Sequence, residues 1–191
     1  MLRRLALFGL CAALAIAAAP ALARGPYDAP PQVNVAIEPG GGAAAVVHAA
    51  FDIAAPPAAV WAVLTDCADA PKHTPGLISC RVVNKGPGWE EREHKLKGPI
   101  FHPVITNLFR LDMQPNTRLG FKRTGGDWKR SDGEWRLTPL AGGAATHVTY
   151  EMHFAIDAPI PAGALRDGIA KGLPKSLEAL RREAIARAGR H

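Results

Sequence analysis

ATHVTYEMHFAI, residues 145–156, is the stretch on which the fold turns. Val148, Tyr150, Met152, Phe154 and Ile156 alternate with His147, Thr149, Glu151 and His153, the period-two pattern of a strand with one face in a core and the other in water. The apolar face continues upstream: Trp135 with Leu137, Leu119 with Phe121, and Ile105, Phe109, Leu111 and Met113 fall at the same spacing. Strands are expected at 77–84, 89–97, 100–113, 117–123 and 128–139 before this last one. They are joined by Lys85-Gly86-Pro87-Gly88, Gln114-Pro115-Asn116, Thr124-Gly125-Gly126-Asp127 and Ala141-Gly142-Gly143. Connections this short predict an antiparallel meander, because parallel pairing needs long crossovers.

A sheet with an apolar face needs a cover, and the sequence downstream supplies one. After Asp157-Ala158-Pro159-Ile160-Pro161, the residues Leu165, Ile169, Leu173, Leu177, Leu180 and Ala184 recur at three- and four-residue steps in a run that ends at Gly189. This predicts an amphipathic helix of about 25 residues. A bend is expected at Gly172-Leu173-Pro174, where the proline removes a backbone donor. Upstream of the meander, VVHAAFDI at 46–53 alternates as a first strand and Ala55-Pro56-Pro57 ends it. Val60, Trp61 and Leu64 then share a face of a short helix over 57–65, with a second short helical piece and a turn in 66–76. The expected order is one strand, two short helices, six strands and one long helix: a curved antiparallel sheet of seven strands gripping a C-terminal helix.

The chain has 191 residues, 48% hydrophobic, 21% charged and 6% aromatic, which excludes wholesale disorder and collagen-like repeats. MLRRLALFGLCAALAIAAAPALA, residues 1–23, reads as a secretory signal peptide: Arg3 and Arg4, an apolar run too short to span a membrane, then a small-residue site that places cleavage after Ala23. The expected address is the bacterial periplasm or the outside. Residues 24–45, rich in Pro, Gly and Ala, read as an extended leader, and 46–188 as the folded domain. Removal of Arg3 and Arg4 lowers the formal charge of +6 by two. The excess that remains is compatible with transient contact with a membrane surface, and with no Lys/Arg block no nucleic-acid partner is expected.

Export leaves Cys67 and Cys80 as an even pair in a compartment that preserves disulfides. The expected reading is a structural bridge. Two free thiols, or a metal or redox pair, are the alternatives, the last weakened by a spacing unlike redox motifs and by too few further ligands.

The start FDIAAPPAAVWAVLTD, the central GGDWKRSDGEWRLTPL and the ending IDAPIPAGALRDGIAKGLPKSLEALRREA resemble the START-like helix-grip (SRPBCC) superfamily, in particular its polyketide cyclase/dehydrase and coenzyme-Q-binding START branch. The likeness runs from about Val46 to Ala188. It rests on Ala-Pro-x-x-x-Val-Trp at 55–61 with Asp66, and on Gly-x-Trp at 133–135 before the Thr-x-Val-x-Tyr strand at 146–150. The resemblance implies an α+β helix-grip fold with a cavity between sheet and helix. It also implies a ligand that is a lipid, a quinone or a polyketide-like molecule. Some members are cyclases and many only bind.

Candidate ligand contacts follow from the faces. Arg92 and His94 share a face with Leu96 and either point inward or, given Glu90, Glu91, Glu93, Lys95 and Lys97 around them, belong to a solvated edge strand. Asn107 alternates with Ile105 and Phe109, so its amide either binds a ligand or marks a bulge. Tyr150 places a phenol on the apolar face, where it requires a hydrogen-bond partner or a ligand. Phe109, Phe121, Trp135 and Met152 on the sheet, with Ile169 and Leu173 on the helix, complete the expected lining. Glu151 and His153 read as solvated, and His102 as a cavity-mouth or surface residue. The loops around Gly98-Pro99 and Gly125-Gly126 are expected to gate entry. No catalytic constellation, metal set or cofactor motif is present in the sequence. The expectation is therefore a monomeric carrier, chaperone or sensor for a hydrophobic small molecule or lipid. Its alternatives are a cyclase or dehydrase working by general acid/base catalysis, and an interaction module with a filled core.

Overall fold

The computed structural model describes residues 25–39, 43–98, 104–157 and 160–190. The expected signal peptide, His102 and Pro99 lie outside the described residues. The elements in chain order are β1 (Gln32–Ile37), β2 (Ala43–Ile53), α1 (Pro57–Thr65), α2 (Ala70–His73), β3 (Leu77–Gly86), β4 (Trp89–Lys97), β5 (Val104–Gln114), β6 (Arg118–Gly126), β7 (Trp128–Leu140), a 3-10 turn (Ala141–Gly143), β8 (Ala145–Ile156) and α3 (Ala162–Ala188). All strands join one antiparallel sheet in the order β1-β2-β8-β7-β6-β5-β4-β3. This is the α+β helix-grip arrangement that the alternation and the long amphipathic helix predict.

Among the described residues the sheet has eight strands, one more than expected. The eighth lies in the segment read as an extended leader: Gln32–Ile37 pairs with Ala45–Ala50. Val33, Val35 and Ile37 pack against the cluster formed by Ala43, Ala45, Val47, Phe154 and Leu165. The alternation of QVNVAI carried that signal, but Pro30-Pro31 before it and Pro39-Gly40 after it read as loop. Gly125-Gly126 ends β6 rather than forming a free loop. Gly126 has φ +85°, and a Cβ there would lie 2.4 Å from the Thr106 carbonyl oxygen, so the strand closes tightly onto β5.

The core sits between the concave face of the sheet and α3. Ile53, Val60, Val63, Val148 and Leu177 are fully enclosed. The proline at the first position of α1 supplies a preset helical φ at no cost in hydrogen bonding. Gly133 explains the Gly-x-Trp motif. A Cβ there would stand 2.0 Å from the Glu151 carbonyl oxygen on β8 and 2.8 Å from the Phe121 ring, so β7 crosses this point only without a side chain. The helix α3 runs unbroken through Pro174, although that residue lacks the N–H that would reach the Ala170 carbonyl. No described helix is long and apolar enough to cross a membrane.

Candidate functional site

The sheet and α3 do not close on each other completely. A cavity of about 310 Å³ remains under α1, α2 and the middle of α3. It exists because β6 and β7 pair only over Arg118–Lys122 and Asp132–Arg136 and then diverge, which opens the concave face toward the start of β7. Arg92 and His94 line it from β4, Asn107 and Phe109 from β5, and Phe121 from β6. Trp135, Tyr150, Met152 and Leu173 close it from β7, β8 and α3. Ile169 is one turn too far along α3. It lines instead a second chamber of about 370 Å³ that adjoins the first.

The solvated-edge reading of Arg92 and His94 is overturned. The strand β4 is not an edge, because β3 covers it on one side and β5 on the other. Its period of two therefore sends Arg92 and His94 into the protein and leaves Glu91, Glu93 and Lys95 on the other side. Arg92 is 3% exposed. Its Nη1 and Nη2 donate to the Leu64 and Thr65 carbonyls at 3.2 and 2.6 Å, and its Nε donates to Glu90. Burial pulls the Arg92 pKa down and the Glu90 carboxylate opposes that shift, so the charge is held by a partner within the wall of the cavity.

Asn107 is 6% exposed and points inward. Its Nδ2 donates to Ser131 Oγ at 3.1 Å, across the opening between β5 and β7, while its Oδ1 is buried without a partner. His94 stands opposite Asn107 in the ladder and packs edge-on to Phe109, with ring centroids 4.7 Å apart. Burial, and secondarily the Arg92 charge, push the His94 pKa down to about 4. The ring is thus neutral at physiological pH, with its Nε2 buried and unpartnered. Burial also raises the Tyr150 pKa. Its phenol stays protonated and donates to the Met152 sulfur, the partner that the sequence required but did not identify. The Tyr150 ring lies 4.1 Å from Trp135 and 6.1 Å from Phe121, centroid to centroid, which makes one aromatic wall.

The lining includes further polar residues outside the expected contact set, among them Ser131, Trp128 and His73. Ser131 lies on the same β7 face as Gly133 and Trp135, so the period of two contained it. Trp128 and His73 also line the cavity, each with a buried ring nitrogen that has no partner. His73 lies on α2, whose position no local pattern announces; burial, then Arg187, lower its pKa. Glu151 and His153 face away from the cavity and pair with each other at 2.9 Å.

The wall formed by α1 and α2 is fastened at two further points. Cys67 and Cys80 form a disulfide, with Cα atoms 5.3 Å apart, that ties the α1–α2 connection to β3. From α3, Arg187 donates to the Ala62 carbonyl at 3.0 Å and pairs with Asp66 at 2.9 Å. The Asp69 backbone N–H is the main cause of a lowered Asp66 pKa, and Arg187 adds to it.

Comparisons with known proteins agree with this architecture. No curated protein matches the sequence. Among solved structures, a STAR-related lipid transfer protein from Xanthomonas axonopodis superposes with a TM-score of 0.67 at 17% identity, over 81% of this chain and 93% of that one. The Zhui aromatase/cyclase from Streptomyces sp. R1128 superposes at 0.60 with 18% identity, over 77% and 94%. A START superfamily protein from Mycobacterium smegmatis gives 0.63 with 14% identity, over 74% and 97%. At these identities the likeness is one of fold. The family model for polyketide cyclase/dehydrase and lipid transport proteins matches residues 53–181, from the end of β2 into the last third of α3. With most of the folded chain inside that match, the protein belongs to the polyketide cyclase/dehydrase and lipid transport family.

Proposed function

We propose that the protein is an exported carrier, chaperone or sensor that holds an apolar or lipidic molecule between its sheet and α3. The observation that carries this reading is the cavity itself: aromatic and aliphatic walls with a few converging polar atoms, in the size range of small-molecule sites. A filled core, as the interaction-module alternative requires, does not have this space. Export is supported by the leader pattern in residues 1–23 and by the disulfide, which persists in oxidising compartments. In this reading the protein is a monomer that touches a membrane surface transiently to load or unload.

The cyclase/dehydrase reading draws on one observation, the unpartnered Nε2 of His94 in an apolar cavity. An imidazole held down at about 4 is a weak general base at neutral pH, and among the described cavity-lining residues there is no Asp or Glu to raise it. Binding is therefore the better-supported function.

The test is native mass spectrometry and solvent extraction of full-length protein expressed with its own leader and recovered from a periplasm. The expected result is a chain starting at Arg24 with a co-purifying molecule of low polarity. A protein that emerges empty and binds no member of a lipid, quinone and aromatic panel overturns the proposal.

A further inference from the structure

The two chambers differ in chemistry and share a border. Trp128, Tyr150, Met152 and Leu173 line both. On one side stand the buried polar atoms without partners: His94 Nε2, Asn107 Oδ1 and His73 Nε2, with Trp128 Nε1 on the border. On the other side the wall is Val47, Phe154, Ile160, Leu165 and Ile169, with the exposed Gly168 of α3 at its rim. We infer that the occupant is a two-part molecule, an uncharged head with both a hydrogen-bond donor and an acceptor in the first chamber and a single apolar tail in the second. This inference rests on the binding function proposed above.

The head must carry both kinds of group because the vacant positions are of both kinds. One amide N–H of Asn107 is engaged by Ser131, and the atom left without any partner is Oδ1, which accepts only. Trp128 Nε1–H donates only. A buried polar atom without a partner costs free energy that a complementary ligand group recovers, so these atoms select the head. The head is uncharged because Arg92, the one guanidinium among the described lining residues, is already committed. Arg92 spends Nε, Nη1 and Nη2 on Glu90, Leu64 and Thr65, and no lysine is among the described residues lining either chamber. A carboxylate or phosphate would be buried there without a counter-ion, which is unfavourable.

The tail is assigned by the second chamber, whose described lining offers no vacant polar atom beyond the border residue Trp128. Gly168 leaves room at its edge, since a Cβ built there meets nothing within 4 Å. Two small residues one turn apart, Ala164 and Gly168, keep this side of α3 thin where Leu165 and Ile169 turn inward.

The test uses the full mature chain and alkyl 4-hydroxybenzoates from methyl to octyl, which carry a phenolic donor, a carbonyl acceptor and a graded tail. Alkyl carboxylates of matched tail length are the charged comparators, and affinities come from calorimetry. Affinity is expected to rise about fourfold per added methylene, as burial of a CH₂ predicts, and the carboxylates to bind at least about tenfold more weakly, a buried unpaired charge being unfavourable. In Gly168→Leu, which favours the helix and adds a side chain at the rim of the second chamber, the ratio of octyl to methyl affinity should fall toward one. In Asn107→Leu and in Trp128→Phe, which removes only the indole N–H, all esters should weaken while that ratio is kept. Equal binding of the carboxylates, or an unchanged ratio in a folded Gly168→Leu, overturns the two-part ligand and leaves the carrier function standing. Failure of every ester and every member of the broader lipid panel overturns both.

Discussion

Arg92 on β4 donates from Nη2 to the carbonyl of Thr65, the last residue of α1, at 2.6 Å. The last carbonyls of a helix have no partner within it and carry the negative end of the helix dipole, so a guanidinium is the natural cap. Here that cap lies 27 residues away in sequence, and it ties the C-terminal end of α1 to a strand that lines the cavity. Replacement of Arg92 by Met strands the Glu90 carboxylate and two carbonyls, and should cost about 3 kcal/mol in urea denaturation. The double variant Arg92→Met/Glu90→Gln should recover part of that loss; a double variant no more stable than the single one would refute the paired-charge account.

His94 predicts a definite pH dependence. Its folded pKa of about 4 lies below the unfolded value of 6.5, so below pH 6.5 the unfolded chain takes up the proton more readily. The stability contributed by the neutral ring is complete above 6.5, falls as pH drops toward 4, and levels off beneath it. The full effect is at most about 3 kcal/mol, and less to the extent that solvent reaches the ring. His94→Gln should flatten this part of the stability profile between pH 7 and 4. An NMR titration of the His94 ring with a midpoint near 6.5 would contradict the assignment.

The Cys67–Cys80 bridge closes a short loop, with a sequence separation of 13. The double variant Cys67→Ser/Cys80→Ser should lose about 3 kcal/mol, the entropy that such a bridge removes from the unfolded chain. Wild-type protein in reductant should match it in thermal denaturation. Because α2 follows directly on the bridge and contributes Ala70 and His73 to the cavity wall, ligand should also dissociate faster from the reduced protein in stopped-flow fluorescence.

Glycine substitutions should separate a packing requirement from simple helix propensity. Gly133→Ala must displace either the β8 backbone or the Phe121 ring, and should cost about 2 kcal/mol or more. Gly172→Ala on α3 meets nothing within 4 Å, and should stabilise by about 0.5 to 1 kcal/mol. Equal effects in a melting comparison would show that backbone freedom, not the β7–β8 approach, governs position 133.

The meander and the gripping helix were legible because each rests on a local period: alternation in Val148–Ile156 and in Trp135–Leu137, and three- and four-residue steps from Leu165 to Ala184. The same periods placed Asn107, Phe121, Tyr150 and Leu173 on the faces that line the cavity. Where local signals conflicted, the reading failed. Prolines hid β1, and the charges around Arg92 suggested water where the structure has an interior.

The sequence alone determined the element order, the apolar face of each strand and the reach of the covering helix, because those properties repeat every two or every three to four residues along one segment. Only the tertiary structure decided that the end of α1 meets Arg92 on the inward face of β4, that β6 and β7 part after Lys122, and that Asn107 meets Ser131 while its carbonyl oxygen stays vacant. Each of these depends on how neighbouring elements settle against one another in three dimensions, and whether a side chain finds a partner is set by which element arrives beside it, which no local period encodes.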